Sequence, residues 1–145
     1  MRNHPRIIGF LGQALNHEYG AVQQYLTQAS LCTLWGLRDW AETFLQESRE
    51  ELGHADLLNQ RLLVMGIAPS GGQLRPPRPG RDLRDMLLHD VDLEAAAVDL
   101  YSEAEAFATR LRDPEAAALF ARLRRDEEGH LQHLQESLAH LEGRG

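Results

Sequence analysis

The chain has little cysteine, little positive charge and no long apolar run, and each shortage excludes a class of protein. Its one cysteine, Cys32, cannot form an internal disulfide, which suits a reducing compartment, so we expect a cytoplasmic protein. The formal net charge of −7 at pH 7 argues against a nucleic-acid partner, because phosphate recognition needs clustered Lys and Arg. The most apolar stretch, residues 7–15, is interrupted by glycines and is too short to span a bilayer, so we expect no membrane partner.

The chain is rich in helical periodicity. Four segments, at about residues 5–36, 38–66, 81–111 and 114–142, repeat apolar residues at alternating spacings of three and four, and no strand pattern competes with them. Short joints separate the first two segments and the last two, so each pair should be antiparallel. The stretch at 67–80 is rich in proline and glycine; it cannot continue a helix but can run the length of a bundle. The sequence therefore predicts one all-α domain over residues 1–145, a ferritin-like four-helix bundle of two hairpins joined by one long crossover.

Each predicted helix carries an acidic residue at the centre of its apolar seam. The two halves of the chain repeat the seam residues at a separation of 76, pairing Glu18 with Glu94, Glu51 with Glu127, His54 with His130, and Tyr25 with Tyr101. In each half, one Glu comes alone from one helix, and a Glu-x-x-His pair places two side chains one turn apart on the next. This is the ligand pattern of dinuclear metal sites in ferritin-like bundles.

The charge on these seams favours a metal site. Four carboxylates facing inward are costly unless a cation compensates them, and a metal-free ion-pair network would need Lys or Arg on the seams, where none occurs. Two divalent ions balance four carboxylates, so we assign Glu51 and Glu127 as bridging ligands and Glu18 and Glu94 as terminal ligands. Oxygen and nitrogen ligands without a thiolate favour iron or manganese over structural zinc.

Tyr25 lies two turns after Glu18 on the same seam. It can hydrogen-bond a ligand carboxylate or supply an electron, and an ordinary core aromatic residue explains it equally well. We include it among the catalytic candidates.

From about Ile7 to Glu142 the chain resembles the bacterioferritin family. The motifs that carry the resemblance are Leu15-Asn16-His17-Glu18-Tyr19, Trp35-Gly36-Leu37, Glu47-Ser48-Arg49-Glu50-Glu51 and Arg125-Asp126-Glu127-Glu128-Gly129-His130. The resemblance implies a ferroxidase centre that oxidises Fe(II) with O2 or H2O2 and feeds a ferric mineral inside a homo-oligomeric cage. It implies two iron ions per subunit, held by Glu18, Glu51, His54, Glu94, Glu127 and His130. From the oxygen and nitrogen donors we expect that manganese or other divalent ions can substitute for iron.

Two departures from the family pattern change what we expect. Leu52 stands where bacterioferritins carry the methionine that binds haem, so we expect no haem in this chain, and a second, haem-bearing subunit type is an open possibility. The family usually ends in a short fifth helix, but here only residues 143–145 follow the fourth segment, which leaves cages of 12 and of 24 subunits both open. The alternative functions are a non-storing di-iron or di-manganese peroxidase or oxidase of the same fold, and a cage subunit without activity.

Overall fold

The computed structural model describes residues 3–143. Within that range it contains four helices and no strand: α1 (Pro5–Leu34), α2 (Arg38–Val64), α3 (Leu83–Leu111) and α4 (Pro114–Gly143). Against the sequence-based bounds, α1 and α2 each end two residues earlier, α3 begins two residues later and α4 ends one residue later. No helix among the described residues is both long and apolar enough to cross a membrane.

Hydrogen-bonded caps explain where the helices end. Gly36 and Gly66 take positive φ angles of 77° and 78° after α1 and α2. After α1, the Leu37 amide donates to the Cys32 carbonyl at 2.8 Å, and after α2 the Ile67 amide donates to the Leu62 carbonyl at 2.9 Å. These bonds satisfy carbonyls that the helix leaves without partners, and glycine adopts the left-handed conformation at little cost.

The joint between α3 and α4 uses the same cap without glycine. Arg112 adopts φ 62°, and the Asp113 amide donates to the Ala108 carbonyl at 3.0 Å. Asp113 then caps α4, because its Oδ1 accepts a hydrogen bond from the Ala116 amide at 3.1 Å. Asp82 caps α3 in the same way, accepting from the Asp85 amide.

The chain divides into two compact units, and the first, the α1/α2 unit, comprises Leu11–Arg81. Its helices are antiparallel: Val22, later in α1, pairs with Ser48 early in α2, whereas Glu18 pairs with His54 further along α2. Its buried apolar residues include Leu11, Leu15, Tyr25, Phe44 and Leu58.

The second unit, the α3/α4 unit, comprises the residues up to Phe10 and from Asp82 onward. Arg84 near the start of α3 pairs with Glu142 near the end of α4, while Glu105 pairs with Arg124, so these helices are antiparallel as well. The beginning of α1 adds Phe10, whose ring lies 6.0 Å from that of Phe107.

Candidate metal centre

Three predicted ligands meet in the α1/α2 unit, and we call Glu18, Glu51 and His54 the α1/α2 half-site. Nδ1 of His54 lies 2.7 Å from Oε2 of Glu18 and 3.5 Å from Oε1 of Glu51. Both carboxylates are fully buried. The ligand atoms of the three residues lie within 4.8 Å of one another, close enough to bind one metal ion. Helical spacing produces part of this geometry, since residues three apart on α2 share one face.

The other three predicted ligands meet in the α3/α4 unit, and Glu94, Glu127 and His130 form the α3/α4 half-site. Nδ1 of His130 lies 3.2 Å from Oε2 of Glu94 and 3.1 Å from Oε1 of Glu127. The two carboxylates are again fully buried, and the three ligand atoms lie within 4.8 Å of one another. The internal repeat in the sequence is therefore also a repeat in the geometry of each half-site.

The donor set of each half-site suits a first-row metal. Each half-site offers two carboxylates and one imidazole nitrogen, and no thiolate is among the three. Hard oxygen donors with one nitrogen donor match iron and manganese better than structural zinc. In both half-sites the nitrogen that faces the carboxylates is Nδ1, a choice that the sequence does not reveal.

Tyr25 is fully buried in the α1/α2 unit. Its ring packs on that of Phe44, with centroids 6.2 Å apart. Tyr101, which was matched to Tyr25 by the repeat but given no role in the site, is fully buried in the α3/α4 unit and packs on Phe120 at 6.4 Å. Phe120 follows Phe44 by 76 residues, so the aromatic pair belongs to the repeat as well.

A different side-chain contact lies beside each half-site, and neither was predicted from the sequence. In the α1/α2 unit the Ser48 hydroxyl donates to the Val22 carbonyl at 3.2 Å. At the equivalent place in the α3/α4 unit, Arg124 donates to the carboxylates of Glu105 and Glu128, both at 2.7 Å. The hydrogen bond to Glu105 raises the pKa of the Arg124 guanidinium above its ordinary value, and burial only partly offsets that effect. Of these contacts, only the four-residue spacing of Arg124 and Glu128 was visible in the sequence.

The crossover is bound to α1 by three side-chain amides that the sequence analysis did not single out. The Gln73 amide donates to Oδ1 of Asn16 at 3.1 Å, and the Arg78 amide donates to Oε1 of Gln24 at 3.2 Å. Nε2 of Gln28 donates to the Pro79 carbonyl at 3.0 Å. These bonds fix the crossover along the helix that carries Glu18.

Gly71 brings the crossover against the ring of Tyr19. A Cβ at this position would overlap Cδ2 of Tyr19, so the close approach requires glycine. The Tyr19 hydroxyl in turn accepts a hydrogen bond from Nδ2 of Asn59 on α2 at 3.2 Å. Leu52, which follows the ligand Glu51, is 52% exposed on α2.

Comparison with known proteins identifies the family. The protein-family model described as the ferritin-like domain matches residues 8–143 of this chain. The chain is 34% identical to the bacterioferritin of Rhodobacter capsulatus over 139 residues, which are 96% of this chain and 86% of that protein. It is also 34% identical to the bacterioferritin of Brucella melitensis over 138 residues, or 95% of this chain and 86% of that protein.

A solved structure supports the same family assignment. The structure of the Rhodobacter capsulatus bacterioferritin, described with a metal-free dinuclear site and a haem iron, matches with a TM-score of 0.96 at 34% identity, covering 100% of this chain and 91% of that chain. The ferritin-like four-helix bundle predicted from the sequence is therefore confirmed. The chain belongs to the bacterioferritin family.

Proposed function

We propose that the protein is a ferroxidase and iron-storage protein, which oxidises Fe(II) with O2 or H2O2 and deposits the ferric product as mineral inside a homo-oligomeric cage. The observation that carries this proposal is the pair of matched half-sites, each with two buried carboxylates and one imidazole. Membership of the bacterioferritin family supports the same function. The whole chain then acts as one cytoplasmic domain.

In this proposal the two half-sites serve as one dinuclear centre whose substrate is ferrous iron. Four carboxylates balance the charge of two divalent ions, and neutral imidazoles add no charge, so the loaded site is neutral. Glu51 and Glu127 would bridge the two ions, while Glu18 and Glu94 would each hold one of them. Bound Fe(II) supplies the electrons that reduce the oxidant, and manganese or other divalent ions can occupy the same ligands.

The protein contributes hard anionic ligands that are held in a site buried from solvent. Carboxylates stabilise Fe(III) more than Fe(II), because the interaction of an anion with a cation grows with the charge of the cation. Burial strengthens this preference, since the surroundings screen the charges less than water does. The buried Glu residues therefore favour the oxidised product.

Anaerobic titration with Fe(II) tests the dinuclear centre. We expect saturation at two ions per protomer, and a loss of at least one of them in Glu94→Gln. Glu103→Gln is the matched control, because Glu103 is an exposed carboxylate on the same helix. Saturation at one ion in the unmodified protein would contradict the dinuclear assignment.

Storage is tested separately, by native mass measurement with iron counting on aerobically loaded protein. We expect a closed shell of 12 or 24 subunits holding many more iron ions than two per subunit. A small oligomer that turns over Fe(II) or peroxide but retains only two metals per subunit would favour the alternative, a non-storing di-iron or di-manganese oxidase or peroxidase.

We also propose that this chain alone binds no haem. A haem bound between two thioether sulfurs needs one from each of two subunits, and the Leu52 side chain has no donor atom. A second subunit type that carries haem is compatible with this proposal.

A further inference from the structure

Tyr101 occupies the position in the α3/α4 unit that Tyr25 occupies in the α1/α2 unit. Each tyrosine follows its half-site glutamate by seven residues, Tyr25 after Glu18 and Tyr101 after Glu94. Two helical turns put each tyrosine on the same face of its helix as the glutamate, with the two backbone positions about 10 Å apart along the helix axis. Both residues are fully buried.

The surroundings of the two rings are repeated as well. Tyr25 lies 6.2 Å from Phe44 with an angle of 24° between the ring planes, and Tyr101 lies 6.4 Å from Phe120 with an angle of 30°. Sequence repetition alone would preserve apolar character with any large side chain. Here both halves keep a phenol that packs on the equivalent phenylalanine at a similar ring angle, seven residues after the half-site glutamate.

The proposed reaction needs more electrons than two Fe(II) ions supply, and two phenols can supply the difference. Reduction of one O2 to two waters takes four electrons and four protons. Two Fe(II) ions become Fe(III) and supply two electrons, so oxygen reduction at a centre holding only two irons stops at hydrogen peroxide unless the protein supplies two more. One tyrosine supplies one electron and one proton and becomes a neutral phenoxyl radical.

We propose that Tyr101 is redox-active, that Tyr25 at the equivalent position is redox-active as well, and that the two phenols supply the third and fourth electrons. Two Fe(II), two phenols, one O2 and two protons from solvent then give two Fe(III), two phenoxyl radicals and two waters. Two further Fe(II) ions each return one electron to a radical, which takes up one proton from solvent. This inference rests on the proposed ferroxidase function, and its consequence is that iron is oxidised without release of peroxide.

Tyr19 provides the internal control, because it is the only other tyrosine in the chain. It directly follows Glu18, so it projects from a different side of α1, and it is only partly buried. Its hydroxyl accepts a hydrogen bond from Asn59, and its ring lies under the crossover at Gly71. Tyr19 therefore has a structural role, and its position lacks the features that Tyr25 and Tyr101 share.

Rapid-freeze electron paramagnetic resonance on the full protein tests the inference. Protein loaded anaerobically with two Fe(II) per protomer is mixed with O2, and the tyrosyl radical and released peroxide are both measured. We expect Tyr101→Phe and Tyr25→Phe each to lose about half of the radical, the double variant to lose all of it and to release peroxide, and Tyr19→Phe to match the unmodified protein. Anaerobic Fe(II) titration of each variant checks that the ligands are still in place.

The outcomes separate this inference from the function it rests on. If Tyr101→Phe binds and oxidises two Fe(II) with an unchanged radical yield, the inference is wrong and the ferroxidase function stands. Should Tyr101→Phe not fold, the Tyr25→Phe/Tyr19→Phe variant decides, because any tyrosyl signal left in it comes from Tyr101 and its absence overturns the inference. Failure of the unmodified protein to oxidise iron overturns both.

Discussion

Nδ1 of His54 lies 2.7 Å from Oε2 of Glu18. Both atoms are buried, and their close approach places an imidazole nitrogen directly against an acidic oxygen. A metal ion bound through Nδ1 would use the lone pair of that nitrogen, so His54 must be neutral and Nδ1 must carry no proton when the metal is bound. His130 and Glu94 repeat the contact at 3.2 Å.

Replacing both terminal ligands should separate activity from stability. In Glu18→Gln/Glu94→Gln we expect iron oxidation to slow by more than about 100-fold, since changes to residues that only support ligands already cost 10- to 100-fold. The metal-free variant should be at least as stable as the unmodified protein, because two of four buried negative charges are gone. Stopped-flow oxidation and denaturant unfolding measure the two effects. Unfolding of this variant near neutral pH would show that repulsion between the carboxylates does not dominate the stability of the metal-free protein.

The crossover should tolerate alanine at Gly72 but not at Gly71. We expect Gly71→Ala to destabilise the protein by about 1–3 kcal/mol, because its Cβ overlaps the Tyr19 ring. Gly72→Ala is the matched control, with its Cβ in ordinary contact 3.5 Å from Oγ of Ser70, and should change stability by less than about 0.5 kcal/mol. Denaturant unfolding of the two variants gives the comparison, and equal stabilities would mean that the crossover does not lie against Tyr19.

Arg112 offers a stabilising substitution. It holds a left-handed conformation that glycine adopts with less strain, so Arg112→Gly should raise the free energy of unfolding by about 0.5–1 kcal/mol. Gly36→Ala makes the opposite change at the equivalent cap of α1 and should lower it by about 1 kcal/mol. Thermal unfolding of the two variants side by side tests the sign. A destabilised Arg112→Gly would show that the Arg112 side chain contributes more than its backbone strain costs.

The haem proposal depends on one side chain. The unmodified homo-oligomer should show no Soret band after expression with abundant haem, while its iron oxidation is intact. Leu52→Met is nearly isosteric at a half-exposed position, so it should fold at a cost below about 1.5 kcal/mol. Haem binding by this variant would show that only the sulfur was missing. Stoichiometric haem with two axial ligands in the unmodified protein would contradict the ligand argument.

The sequence alone was enough to predict the helices and to name the candidate ligands, because both signals are local and periodic. A helix repeats every 3.6 residues, so apolar spacing predicts its buried face and a Glu-x-x-His pair falls on that face wherever the helix packs. Glu18 and Glu94 belong to no Glu-x-x-His pair, but each interrupts an apolar seam, and the repeat of 76 residues matches one to the other. That these six residues bind iron stays a prediction.

Tertiary structure decided what periodicity does not encode. The amide bonds from Asn16, Gln24 and Gln28 to the crossover depend on the route of an irregular segment, and the pairing of Arg124 with Glu105 depends on how two helices align. The nitrogen that each histidine presents follows from its side-chain rotamer, which packing selects. The left-handed backbone conformation of Arg112 was also not predictable from the sequence, because arginine does not favour this conformation. The hydrogen bonds that end α3 impose it.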